Sequence, residues 1–215
     1  LSVPNSKIKI SDKTFSGEIL NPENPEKMIV TDIDDTVIHT NVLSKVKMLY
    51  NSLFVDVSKR KMVQNANLFL DKVSDGRKHP IIYVSNSPYN IYTYLQRFLS
   101  LNNFQKGPIF LRDLGLTNSI LPKNYESHKE YMIEKLLQDF PSAKFVLLGD
   151  GAEHDPYIYH DISHSHTDKI EKIYLRKITQ KGRAEKLKEW KKELDHSYII
   201  LFEEYDELLG DEAVS

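Results

Sequence analysis

At 215 residues, 40% of them hydrophobic and none a cysteine, the chain is long enough for one substantial core and excludes disulfides, thiol catalysis and thiolate metal sites. A formal net charge of -2, with basic residues scattered outside the last third, excludes a broad electrostatic grip on nucleic acid, and no nucleic-acid partner is expected. No apolar run is long enough to cross a bilayer and the first residues lack a signal peptide's layout, so the expected location is cytoplasmic or peripheral to a membrane.

Residues 1–27 read as an N-terminal strand and turn extension, with alternating pieces at 7–10 and 15–20 broken by Asn21, Pro22, Asn24 and Pro25. Residues 28–215 read as one catalytic domain. It opens with Ile29, Val30 and Ile33, a β-branched run that predicts a buried strand ending in Asp32, Asp34 and Asp35. Val42, Val46, Leu49 and Leu53, then Met62, Ala66, Phe69 and Val73, have helical spacing and predict helices over 41–53 and 62–73, only a small helical cap. Further strands are predicted at 79–85, 107–111, 144–149, 170–175 and 198–202. Helices are predicted from 88 to about 101 and at 127–140, 156–162 and 183–194, with a frayed end after the last strand. Strands that alternate with helices predict an α/β fold with a doubly wound, mostly parallel sheet and helices on both faces.

Four strand or helix ends carry polar residues with chemical potential. Asp32 and Asp34 stand where an open parallel sheet places its ligand crevice, and residues two apart in extended chain share a face. Capping accounts for a single Asp but poorly for three mutually repelling ones. In Ser85-Asn86-Ser87-Pro88, Ser87 reads as a helix N-cap with Pro88 behind it, which leaves Ser85 at the strand tip, suited to a phosphate oxygen. Ser127 and Glu130 have capping-box spacing and put Lys129 in a first helical turn. There the macrodipole disfavours a cation, so either an anion lies nearby or the lysine snorkels on the surface. Asp150 ends a buried strand between Gly149 and Gly151 with no helix start to cap, whereas Asp155-Pro156 reads equally well as an N-cap or a ligand.

These residues, in this order, resemble the four motifs of haloacid dehalogenase superfamily phosphatases. More narrowly, TDIDDT, YVSNSPYNIY, KGPIFLRD, HKEYMIEKLLQDFP, FVLLGDGAEHDPYIY and IYLRK resemble the catalytic domain of actin-patch-protein type phosphatidate phosphatases, over roughly 28–177. The resemblance implies Asp32 as nucleophile, forming an aspartyl-phosphate, and Asp34 as the acid that protonates the leaving alcohol and later activates water. It implies Mg2+ held by Asp32, the main-chain carbonyl of Asp34 and Asp150, with Ser85, Asn86 and Lys129 on the phosphate. Asp155 is expected to orient Lys129 or metal-bound water, and Thr36 to hold the turn. The implied substrate is phosphatidate or another lipid phosphate. A soluble phosphomonoester is the alternative within enzymes, and a catalytically inactive binding module the alternative outside them.

Other residues carry weaker expectations. His154, His160, His164 and His166 have no anchored metal spacing and read as a solvated helix end and loop. Arg112 and Arg176 end strands, where each is suited either to a phosphate or to an acidic partner. Peripheral membrane contact is expected, if anywhere, through residues 48–50 and 53–55, flanked by Lys45, Lys47, Lys59, Arg60 and Lys61. The alternative is that these apolar residues pack beneath the helices.

Overall fold

A computed structural model describes the backbone of residues 6–10 and 13–17, and residues 22–39, 61–112, 127–151, 154–177 and 198–210 with their side chains. The expected helices over 41–53 and 183–194, and the basic and apolar residues between 45 and 61 other than Lys61, lie outside the described residues.

Strands β1 (Ser6–Ile10) and β2 (Lys13–Gly17), within the stretch read as a strand and turn extension, pair antiparallel as a separate two-stranded sheet. The main sheet contains β3 (Lys27–Thr31), β4 (Ile81–Pro88), β5 (Ile109–Arg112), β6 (Lys144–Asp150), β7 (Ile170–Arg176) and β8 (Ile199–Phe202). Its order is β5-β4-β3-β6-β7-β8, and every pair is parallel. The chain builds outward from β3 to β5, then returns to the other side of β3 to lay down β6. The crevice between β3 and β6 is therefore the topological switch point, where open α/β sheets place their ligands.

Helices cover both faces. Alternate residues of the central strands, Ile29, Ile81, Tyr83, Val146 and Leu148, share one buried cluster with Phe69 and Leu70 of α1 (Ala66–Val73) and Leu95 and Phe98 of α2 (Tyr92–Leu101). Leu209 of the short α5 (Asp206–Leu209) joins that cluster. The intervening residues, Met28, Val30, Ile82, Val84, Phe145 and Leu147, pack with Ile133 and Leu137 of α3 (His128–Asp139) and Ile158 and Ile162 of α4 (Asp155–Ser165). Burial on both faces explains why these strands read as continuous apolar runs, and each such side chain contributes about 1.5–3 kcal/mol.

Three local expectations are corrected. The helix expected from 62 begins at Ala66, because Met62 bridges to Ile38 and Asn65 adopts a left-handed conformation (φ 59°) that an α-helix cannot include. Strand β4 runs on through Pro88, and a 3-10 turn (Tyr89–Ile91) precedes α2, so Ser87 and Pro88 are extended chain rather than an N-cap and first helical residue. The end expected to fray instead forms α5, whose preceding residue Tyr205 is fully buried.

Candidate active site

Asp32 follows β3 and Asp150 closes β6, two strands paired from Lys27 beside Lys144 to Thr31 beside Leu148. The Asp32 N–H extends that ladder by donating to Leu148 O at 2.8 Å. Lys129 enters from the first turn of α3, a start fixed by Ser127 Oγ accepting the Glu130 N–H at 3.1 Å. Asp155 enters from the first residue of α4. Lys129 is 0% exposed, which rules out a snorkelling surface lysine. Its Nζ donates to Asp32 Oδ1 at 2.8 Å and to Asp155 Oδ1. The Asp155 carboxylate is thus engaged with Lys129; His154, not Asp155, stands at the N-cap of α4, and Asp155 Oδ2 lies 3.4 Å from the Asp150 nitrogen. Gly149 permits this approach, since a Cβ there would sit 2.4 Å from Asp155 Oδ2 and 2.9 Å from the Tyr159 ring. Tyr159 closes the floor, its hydroxyl donating to Leu148 O at 3.1 Å.

The charge balance is lopsided. Asp32, Asp150, Asp155 and Lys129 are all buried. Burial pushes Asp32 well above the usual carboxyl range; Lys129 pulls it back, while Asp155, Asp34 and Asp150 raise it further. Burial opposes the Lys129 ammonium, but Asp155 and Asp32 hold its pKa well above the ordinary lysine value. Three carboxylates around one ammonium leave an excess of negative charge that a divalent cation would neutralise. Asp32, Asp150 and Asp155 each offer a carboxylate oxygen, all within 4.8 Å of one another, the hard donor set that suits magnesium. Asp32 Oδ2 is buried with no hydrogen-bond partner among the described residues, which adds to the fit.

Asp34 is held by two hydroxyl groups of β4. Its Oδ2 accepts from Ser85 Oγ and from Ser87 Oγ, each at 2.9 Å, while the Ser87 N–H donates to Ser85 Oγ, also at 2.9 Å. Asn86 lies between the two serines, half-buried. The contact from Ser87 to Asp34 escaped the sequence reading, which spent Ser87 on a helix cap; the available signal was its spacing of two from Ser85. Thr36 is buried in the turn, where its Oγ1 has no hydrogen-bond partner among the described residues and its carbonyl accepts from Tyr205 Oη at 3.0 Å. Arg176 reaches the same turn, donating from Nη1 to Asp35 O at 3.0 Å.

Among the described residues no histidine joins the group of acids arranged to hold a metal ion. His160 pairs with Asp161 at 2.8 Å and stands against His164, and His166 meets Glu134 at 3.0 Å. His154 is exposed just before α4, and Arg112 is exposed at the end of β5. Among the described residues the acid triad is the one group of His, Asp or Glu arranged to hold a metal ion.

The family model for the catalytic domain of phosphatidate phosphatase APP1 matches residues 27–177. Phosphatidate phosphatase APP1 of Saccharomyces cerevisiae is 32% identical over 149 residues, covering 69% of this chain and 25% of that protein. An uncharacterised protein of Schizosaccharomyces pombe is 25% identical over 169 residues, 77% of this chain and 27% of its own length. The chain thus spans about a quarter of the length of the curated relatives it matches. A chain of the Pnkp1/Rnl/Hen1 RNA repair complex superposes with a TM-score of 0.46 at 12% identity, covering 74% of this chain and 45% of that one. The match of the family model across most of the chain, over the strands and helices that carry Asp32, Ser85, Lys129 and Asp150, places this protein in the family of the phosphatidate phosphatase APP1 catalytic domain.

Proposed function

We propose that this chain is a magnesium-dependent phosphatidate phosphatase of the haloacid dehalogenase type, converting phosphatidate and water to diacylglycerol and inorganic phosphate. The observation that carries the reading is the fully buried Lys129, locked to Asp32 and Asp155 beside Asp150 at the switch point of the sheet. A surface ion pair has no reason to be assembled there from four separate elements.

In this reading a carboxylate oxygen of Asp32 attacks phosphorus, and the bond from phosphorus to the alcohol oxygen breaks. Asp34 gives its proton to the departing oxygen, so diacylglycerol leaves neutral and the phosphoryl group stays on Asp32 as an aspartyl-phosphate. Asp34, now ionised, takes a proton from water as the water oxygen attacks phosphorus; the bond to Asp32 breaks, phosphate leaves, and both carboxyl groups return to their starting states. Ser85 and Ser87 hold Asp34 in reach of the transferred proton. Lys129, with Ser85 and Asn86, grips the nonbridging oxygens of the phosphoryl group, and Asp155 keeps the Lys129 ammonium in place. Magnesium, held by Asp32, Asp150 and the main-chain oxygen of Asp34, supplies positive charge that offsets the phosphate when bound.

The lipid substrate is supported by what the yeast relative is named for. Phosphate release from phosphatidate in mixed micelles, compared with p-nitrophenyl phosphate and with and without magnesium, tests both parts. Magnesium-dependent release that follows the surface concentration of phosphatidate is expected. Brisk hydrolysis of the soluble ester alone would overturn the lipid, and full activity in excess chelator would overturn the metal.

A further inference from the structure

The turn after Asp32 is held from a part of the chain that the chemistry above does not use. Within the turn, the Asp35 N–H donates to Ile38 O at 2.8 Å, and the Val37 and Ile38 N–H groups donate to Ile33 O at 2.9 and 3.0 Å. Asp35 itself is left-handed, with φ 54°, a conformation that needs support from its surroundings. Two side chains reach in to meet the carbonyls. Arg176 donates from Nη1 to Asp35 O at 3.0 Å, and Tyr205 donates from Oη to Thr36 O at 3.0 Å.

Both are fixed from behind. The other Arg176 nitrogens hold Glu203 O (Nε, 3.0 Å) and Glu204 Oε1 (Nη2, 3.3 Å), so one planar guanidinium links the catalytic turn to the connection between β8 and α5. The Tyr205 ring packs against Phe202 and Phe69 with centroids at 4.8 and 5.2 Å. Lys72 Nζ donates to the carbonyls of Leu208 and Leu209 at 3.2 and 3.1 Å, which ties α5 to α1. Residues 198–210 lie beyond the 27–177 stretch that the family model matches.

We infer that Tyr205 and Arg176 are positioning residues for the phosphatase chemistry, an inference that rests on the function proposed above. They set the backbone of the turn, and through it the Asp34 carboxylate, so that the proton it transfers meets the leaving oxygen. The segment after β8 is on this account part of the catalytic machinery. Pure core packing would put the aromatic ring of Tyr205 to the same use but would have no need of its hydroxyl.

Tyr205→Phe keeps the ring and deletes the hydroxyl. Its kcat and KM on p-nitrophenyl phosphate are measured beside the hydrogen exchange of the Asp35, Val37 and Ile38 amides. We expect kcat to fall roughly tenfold with KM within about twofold, since small misplacement of a reacting group is enough to produce such a loss. Exchange should quicken at those three amides and stay unchanged along β3 and β6. Arg176→Lys, which retains a positive charge without the fork, should reproduce the pattern. Unchanged kcat, or faster exchange spread evenly over all strands, would overturn the inference. A parent chain inactive on every phosphomonoester would instead remove the functional reading, and this inference with it.

Discussion

The Lys129 ammonium donates to Asp32 Oδ1 at 2.8 Å from the first turn of a helix, a position where the helix dipole opposes a cation and burial opposes it further. Only the carboxylates of Asp32 and Asp155 make that placement tenable. Lys129→Met should therefore leave like charges facing one another inside the protein. Breaking such a buried pair costs about 3–5 kcal/mol, read as a lowered midpoint in urea unfolding, and turnover should be lost as well. A divalent cation should return part of the stability by binding the native carboxylates. An unchanged midpoint would mean the lysine balances nothing.

Asp32→Asn separates catalysis from stability. Turnover should fall by about a thousandfold or more, because an amide is a poor nucleophile and metal ligand. Stability of the metal-free protein at neutral pH should fall less than in Lys129→Met, since Lys129 keeps Asp155 while burial, only partly offset by Lys129 and added to by Asp155, Asp34 and Asp150, already makes the ionised Asp32 costly. The sign follows from linkage. The native Asp32 pKa lies above its unfolded value of about 3.9, so the native state retains the proton longer. Its contribution is fully present below the unfolded value and is lost as pH rises through the raised native one. Thermal melts of the metal-free parent should show that decline, and the Asn variant should lack it.

Legibility in the sequence followed the physics of each feature. Strands β3, β4 and β6 are buried on both faces, so their apolar runs announced them, and the acids that end β3 and β6 had no apolar role to hide in. Lys129 was legible as an anomaly, a cation at the wrong end of a helix. Asp155 was ambiguous because an Asp before a proline satisfies a helix start as well as a lysine, and only Gly149, by admitting the carboxylate, decides between them. Ser87 and Pro88 were misread because a serine-proline pair opens helices more often than it ends strands, while here the chain stays extended to bring two hydroxyls to Asp34. Tyr205 and Arg176 act across 169 and 141 positions of sequence, and no local pattern encodes a contact of that span.

Ser87→Ala removes one of the two hydroxyls that donate to Asp34 Oδ2. With Ser85 alone, the carboxyl group is held less firmly toward the leaving oxygen. Leaving groups that need protonation should suffer most, so kcat should drop roughly tenfold on an alkyl phosphate and less than about threefold on p-nitrophenyl phosphate. Equal losses on the two substrates would detach Ser87 from the proton transfer.

Gly149→Ala tests the closeness of β6 to α4 without substituting any ionisable group. The added Cβ would lie 2.4 Å from Asp155 Oδ2, 2.9 Å from Tyr159 Cε2 and 3.1 Å from Asp155 Cβ, so Asp155 and the aromatic ring must both move. Overpacking of this kind costs about 1–3 kcal/mol, and relief by displacing α4 would carry Asp155 away from Lys129. Lys129 would then swing with one anchor instead of two, and its grip on substrate oxygens would loosen. Turnover should fall by about a hundredfold, as small misplacements of a binding group can produce, while the main sheet stays folded by circular dichroism. A variant with parental kcat and midpoint would show that α4 yields freely at this point and that the contact between Asp155 and Lys129 survives the shift.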